Sequence, residues 1–309
     1  GAGLPPLPAA PVMGALRHWV LAARPKTLSV AVAPVAAGTA LAVAQGATLS
    51  LPVLAATLGG ALLIQVGTNL HNDAADFERG TDVRHERLGP PRATAEGWLT
   101  PGQVRAGAYG AFAAAFALGL YLVSVGGWAI LLLGLLSLVA AWSYTGGPNP
   151  IAYGPLGEVF VWLFFGLGAV GGTFYLQAGE LTPGVWLAGT IVGLPAAAVL
   201  TVNNHRDRET DREAGKRTLA VRLGPPATRR LYTVLIMLPL VLGPAAWWAG
   251  WLPVGAAATT VLLPWAVTLV TRFRALPPGR DLNGLLAGTA AYQLVLALVL
   301  GAGLVLGRA

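Results

Sequence analysis

Cysteine is absent from all 309 residues, which excludes disulfides, thiolate metal sites and a cysteine nucleophile. Charge is scarce as well. Only 11% of the residues are Asp, Glu, Lys or Arg, against about 25% in soluble domains. That shortage excludes an ordinary water-soluble domain, and long apolar runs occupy the space that charge vacates. Hydrophobic residues make up 55% of the chain and the mean hydropathy is +0.64, so the pattern is that of an all-α polytopic membrane protein.

The formal net charge of +7 would suggest a nucleic-acid partner in a soluble chain. Among apolar runs, Lys and Arg act instead as topology determinants, and nucleic acid is not expected. Residues 1–16 open with the Pro- and Ala-rich stretch GAGLPPLPAAPV. It lacks the charged-then-apolar order of a signal peptide, and residues 1–16 are expected to form a flexible tail before a single domain over 17–309.

A spanning helix needs about 20 mostly apolar residues. Candidates fall near 27–46, 51–72, 102–124, 127–144, 157–177, 183–204, 228–249, 253–272 and 283–306, which makes nine. Turn residues such as Gly126-Gly127, Gly146-Gly147-Pro148 and Pro277-Pro278-Gly279 separate them. With nine crossings and a cytoplasmic N-terminus, 19 of the 20 Lys and Arg residues fall on one face and only Arg308 lies opposite. The positive-inside rule predicts this distribution. The expected location is therefore the cell inner or plasma membrane, with the chemistry on the cytoplasmic side.

Most of the 13 acids lie in two stretches on that face. The first runs from Asn69 through Asn72, Asp73, Asp76, Arg79, Asp82 and Arg84; the second from Asn203 through Arg206, Asp207, Arg208, Asp211 and Lys216. At about 100° per residue, Asn69, Asp73 and Asp76 fall within roughly 60° of one another, and Asn203, Asp207 and Asp211 within roughly 80°. Each helix end would then carry an amide and two carboxylates as one stripe. Such stripes repel unless a cation lies against them. Oxygen donors without His or Cys at the repeating positions suit a hard cation, Mg²⁺ foremost, and Mg²⁺ is commonly shared between few carboxylates and a substrate diphosphate. The interleaved Arg79, Arg84, Arg206, Arg208, Lys216 and Arg217 suit phosphate oxygens. Asp82, beyond Gly80, is expected on a loop. His71 and His205 have no second ligand at metal spacing and are read as incidental. The Gly-rich stretches 126–127, 166–172 and 301–303 are expected to permit close helix packing.

The N-D-x-x-D of Asn72 to Asp76 and the D-x-x-x-D of Asp207 to Asp211 resemble the motifs of the UbiA superfamily of intramembrane aromatic prenyltransferases. The likeness runs from about Arg24 to Asn283. It implies nine helices around a central cavity and two Asp-rich motifs holding Mg²⁺-diphosphate. Four segments are similar to the branch that prenylates 1,4-dihydroxy-2-naphthoate in menaquinone synthesis. They are R-P-K-T at 24–27, L-G-P-P-R at 88–92, Y-T-G-G-P at 144–148, and the long run from Asn203 to Gly224. A 4-hydroxybenzoate enzyme would usually carry Tyr-Pro-x-x-Lys-Arg at the third of these.

This resemblance implies transfer of a polyprenyl group from its diphosphate to the naphthoate ring, with loss of diphosphate and CO2, giving demethylmenaquinone. Asp73, Asp76, Asp82, Asp207 and Asp211 would hold Mg²⁺, while Asn69, Asn72 and Asn203 would complete the site with the basic residues. Tyr144 and Tyr153 would face the carbocation, Lys26 the acceptor carboxylate, and Glu158 an acceptor hydroxyl. The prenyl tail would lie among membrane lipid. Prenyl chain length and oligomeric state are encoded in no motif. Transfer to another aromatic acceptor, or a transporter with an interfacial cation site, are the competing readings.

Overall fold

A computed structural model describes residues 12–80 and 88–307, and among them all regular structure is helical. The α-helices are α1 (Val12–Ala23), α2 (Pro25–Ala44), α3 (Leu51–Glu78), α4 (Pro101–Ser143), α5 (Gly157–Val161), α6 (Ala169–Ala178), α7 (Pro183–Arg206), α8 (Arg208–Glu213), α9 (Leu219–Trp248), α10 (Leu263–Ala275) and α11 (Leu282–Leu306). A π-helical stretch, Trp162–Gly168, joins α5 to α6, and a 3-10 stretch, Val254–Leu262, leads into α10.

Helix starts follow local chemistry. Pro25 opens α2 from a site where its missing N–H costs nothing. Thr100 and Gln103 form a reciprocal capping box at α4, with Gln103 N–H donating to Thr100 Oγ1 over 3.2 Å and Thr100 N–H to Gln103 Oε1 over 2.9 Å. Helix α1 begins at Val12, inside the segment expected to be a tail. Its Trp19 and Ala22 pack with Leu70 of α3 and Val104 and Ala108 of α4, and this burial is what makes the segment helical.

Among the described residues, eight helices are long and apolar enough to cross a membrane, counting Gly157–Ala178 and Val254–Ala275 as continuous. Every expected span falls in one of them, and two, 102–124 and 127–144, share α4. At 1.5 Å per residue an unbroken helix of 43 residues would extend about 65 Å, twice a hydrocarbon core of roughly 30 Å. It is broken at Gly127, whose φ of 65° and ψ of −152° suit a residue without Cβ. Leu122 and Ile130, on either side of the break, pack into one cluster with Val53, Ala56 and Leu176. Two boundaries differ from expectation by six residues or more. Helix α3 runs on past 72 to Glu78, so the first acidic motif lies inside it. Helix α9 starts at Leu219 rather than near 228, and is broken at Gly224.

The main core is built from α2, α6, α7, α9, α10 and α11; α3 lies along α4, and α2 packs on α11 and α6. Between helices in lipid, close approach of small residues replaces the solvent-driven hydrophobic force. The π-helical stretch meets α7 at Gly166, where an added Cβ would lie 2.7 Å from the Gly189 carbonyl oxygen and 2.9 Å from Gly193 Cα. Backbone cannot yield as a side-chain tip would. Gly166→Val should therefore destabilise the detergent-solubilised protein by about 1–3 kcal/mol, seen as a lower thermal midpoint. An unchanged midpoint would refute this helix contact.

Candidate functional site: two carboxylate clusters at one end of the bundle

The ends of α3, α4 and α7 and the starts of α2, α5, α8, α9 and α11 gather at one end of the bundle, joined by side-chain bonds. In the first motif the four polar residues diverge. Asn69 donates through Nδ2 to the Ala23 carbonyl at 2.9 Å, pinning α1. Asn72 Oδ1 accepts from Thr145 Oγ1 at 2.6 Å, tying α3 to the turn after α4. Asp73 is 1% exposed, and its carboxylate accepts from the Ala93 N–H at 2.9 Å, the Thr94 N–H at 3.2 Å and the Thr94 hydroxyl. It anchors the segment carrying Arg92. Asp76 alone turns towards the second motif. Around it stand Arg92 at 3.4 Å, the Tyr153 hydroxyl at 3.4 Å and the Lys216 ammonium at 4.0 Å.

The second motif is not one helical stripe. Asp207 sits at φ −94°, ψ 9°, between the end of α7 and the start of α8, so the helix turns there and the regular 100° spacing does not carry through to Asp211. Arg206, 2% exposed, spends its guanidinium on protein. Its Nε donates to Asp207 Oδ1 at 2.8 Å and its Nη2 to Asp207 Oδ2 at 2.5 Å. It also bonds Asn203 Oδ1 at 2.8 Å and Asn283 Oδ1 at 2.7 Å. Asn283 in turn donates to the Leu88 carbonyl at 2.8 Å. Arg208 pairs with Glu209. Asp211 lies 3.5 Å from Lys216.

Burial pushes the Asp211 carboxyl up to about 6. Lys216 pulls it down, and the neighbouring Asp207 and Asp76 push it further up.

The aromatic residues border the same ground. Arg79 lies 5.4 Å and Lys216 4.8 Å over the Tyr153 ring, and Arg79 also donates to the carbonyls of Thr145 and Gly147. Tyr144 ends α4. Burial first, then Glu158, Asp76 and Asp211, raise its phenol above the usual range, with Arg24 opposing, so its hydroxyl stays protonated and available as a donor. Glu158 is buried at the start of α5. One of its oxygens accepts from Asn204 Nδ2 at 3.0 Å, and Oε2 has no partner among the described residues. Lys26 is exposed on the first turn of α2. Its neighbour Arg24, with a left-handed φ of 56° ahead of a proline, is the one whose charge reaches Tyr144. That strained backbone has no signature in sequence spacing. Arg92 and Asn204 likewise became visible only through their partners. Asp82 and Arg84 lie outside the described residues.

Among the described residues no three His, Asp or Glu side chains converge to hold a metal by themselves. Asp76 and Asp211 do converge on one ammonium, and a cation bridging two oxygen donors is the role a hard metal would fill. Mg²⁺ ordinarily takes one or two carboxylates and completes its shell with water and phosphate oxygens, so the donor set fits Mg²⁺ carried in with a diphosphate.

A helical bundle of this kind, with paired Asp motifs at one end, defines a class of multi-pass membrane proteins. The chain belongs to the UbiA prenyltransferase family, whose model matches residues 31–288. It is 37% identical over 298 residues to a Mycobacterium tuberculosis protein named 1,4-dihydroxy-2-naphthoate octaprenyltransferase, covering 96% of this chain and 99% of that one. An Escherichia coli protein of the same name is 41% identical over 229 residues, 72% of this chain and 74% of that one. Among solved structures, a UbiA homologue from Aeropyrum pernix superposes with a TM-score of 0.65 at 17% identity over 90% of this chain and 97% of that one. One from Archaeoglobus fulgidus, bound to geranyl diphosphate and Mg²⁺, superposes with 0.63 at 15% over 93% and 99%. At such identities these structures establish the shared fold.

Arg206→Met should cost the fold about 3 kcal/mol, because it strands Asp207 and two amides without their donor. Chemical or thermal denaturation in detergent measures the loss, and wild-type stability would refute the internal role of the guanidinium.

Proposed function

We propose that the chain transfers a polyprenyl group from polyprenyl diphosphate to 1,4-dihydroxy-2-naphthoate at the cytoplasmic face of a cell membrane. Nine crossings are inferred, with α4 counted twice about Gly127. The supports are the break there and the resulting sidedness of Lys and Arg, which puts the N-terminus inside. The observation that carries the reading is the approach of the two motifs, Asp76 and Asp211 lying 4.0 Å and 3.5 Å from the same Lys216 ammonium. The family relatives supply the substrate class.

The chemistry breaks the allylic C–O bond, the electron pair leaving with diphosphate. A ring carbon of the acceptor forms the new C–C bond, and the pair from the bond to the carboxylate returns to the ring as CO2 departs. The product is demethylmenaquinone in its reduced, dihydroxy form. Mg²⁺, when bound, neutralises charge growing on the leaving diphosphate. Asp76 and Asp211 are proposed to hold it, their approach to one ammonium supporting the assignment. Asp73 and Asp207 act through the Ala93–Thr94 backbone and Arg206, and Asp82 stands as a sequence-level assignment. Lys216, Arg79 and Arg208 are basic groups for diphosphate oxygens. Arg84 is proposed from sequence, and Asn72 and Asn203 shape the wall.

Tyr153 already receives two cations on its ring face, the geometry a carbocation requires. Tyr144 is proposed to offer a neutral hydroxyl to the same reaction. Glu158 is proposed to accept the acceptor's hydroxyl proton through Oε2. Lys26, at the rim, is proposed to meet the acceptor carboxylate.

Purified protein given Mg²⁺, a polyprenyl diphosphate and the naphthoate should form the prenylated naphthoquinol. Prenylation of 4-hydroxybenzoate with none of the naphthoate would overturn the acceptor, and transfer to no aromatic acceptor would overturn the class. Asp76→Ala and Asp211→Ala should each lower turnover at least about 10²-fold while membrane insertion is retained. Near-normal product formation by both would sink the metal assignment.

A further inference from the structure

Two adjacent asparagines stand near the polar end of α7, and the fold sends them in different directions. Successive helical residues point about 100° apart. Asn203 meets Arg206 within its own turn, while Asn204 faces α5. The two helices approach closely there, since a Cβ added to Gly157 would lie 3.0 Å from the Leu200 side chain, one turn before Asn204. Across that contact Asn204 Nδ2 donates to Glu158 Oε1 at 3.0 Å. Both residues are buried, Asn204 at 8% and Glu158 at 5% exposed.

This bond makes the two oxygens of the carboxyl group different. Oε1 accepts from the amide and cannot take a proton without displacing that donor. Oε2 has no partner among the described residues, so it is the oxygen left to take or release a proton. The last side-chain torsion of a glutamate is broad and nearly two-fold, and a free carboxyl would exchange its oxygens by turning about it. The amide fixes which one is presented. Glu158 also lies on the side of the acidic motifs, for the Tyr144 phenol feels its charge first and then those of Asp76 and Asp211.

We propose that Asn204 is a positioning residue for prenyl transfer: by holding Oε1 it makes Oε2 the single seat for the acceptor's hydroxyl proton. This rests on the reading of the site as an aromatic prenyltransferase centre with Glu158 as its proton acceptor, and adds the atom and the residue that selects it. The acceptor O–H bond breaks with its electron pair left on oxygen, and the new O–H bond forms at Oε2. The released pair feeds the ring carbon that takes the prenyl group. Once CO2 has left and its bonding pair is back in the ring, the proton returns from Oε2 to the same oxygen. The product therefore keeps both hydroxyls.

Single-turnover transfer by purified variants, with Mg²⁺, polyprenyl diphosphate and saturating naphthoate, tests this. Glu158→Gln should slow transfer about 10²-fold, as loss of an acid–base group does. Asn204→Ala should slow it about tenfold, with the KM for the diphosphate within about twofold of wild type. The double variant should be no slower than Glu158→Gln, because an amide that works through Glu158 then has nothing to position. Truncation to Ala leaves a gap, so the isosteric Asn204→Asp is compared as well. Its carboxyl would share a proton with Glu158, and it should be slowed at least as much as Asn204→Ala.

Wild-type rates in both Asn204 variants overturn the positioning role. So does a double variant slowed by the product of the two single effects, roughly 10³-fold. An unaltered rate in Glu158→Gln removes the proton acceptor and the proposal with it. Transfer by none of the proteins, wild type included, overturns the underlying reading instead.

Discussion

Everything at the polar end of this protein turns on keeping acids of like sign together where apolar helices leave the membrane. Asp76 and Asp211 come from motifs on α3 and α8, at the ends of separate stretches of chain, and share the Lys216 ammonium. Uncompensated, two carboxylates at such a boundary would push their helix ends apart or take up protons. The surroundings resolve the conflict unequally. Arg206 satisfies Asp207 almost completely, and Arg92 and Tyr153 stand beside Asp76. Burial raises the Asp211 carboxyl to about 6, with Lys216 opposing and Asp207 and Asp76 adding to the rise.

That unequal compensation divides the motif residues into two kinds of work. Asn69 fixes α1, Asn72 fixes the turn after α4, and Asp73 fixes the segment ahead of α4 through three donors. Arg206 reaches Asn283 on α11, which reaches Leu88. These bonds build a frame. Within it Asp76 and Asp211 share Lys216 beside the Tyr153 ring, and Glu158 Oε2 has no partner among the described residues. The residues of one short motif therefore differ: Asn69, Asn72 and Asp73 bond to neighbouring segments, while Asp76 turns towards the second motif.

The apolar body serves the frame in turn. Gly166 lets the π-helical stretch lie against Gly189 and Gly193 of α7, and α7 ends in Arg206 and Asp207. Gly127 breaks α4 so that its final residues stand close enough for Thr145 to bond Asn72 on α3. Small residues in the membrane thus set where charged residues sit beyond it.

By itself the sequence determined the membrane class, the apolar spans and the two acidic motifs, because hydropathy and charge are composition read in order. It also indicated that the acids needed a cation, since like charges at helical spacing repel. It misjudged α1, whose helix depends on partners on α3 and α4, and it read as one stripe a motif that turns at Asp207. Asn72 and Asn203 looked like ligands by type, yet their oxygens are taken by Thr145 and Arg206. Only the tertiary structure decided which carboxylate faces which cation. Hydrogen bonds and ion pairs act over about 3–4 Å, and contacts such as Asp73 to Thr94, Arg206 to Asn283 and Lys216 to Asp76 join residues whose proximity no periodicity encodes.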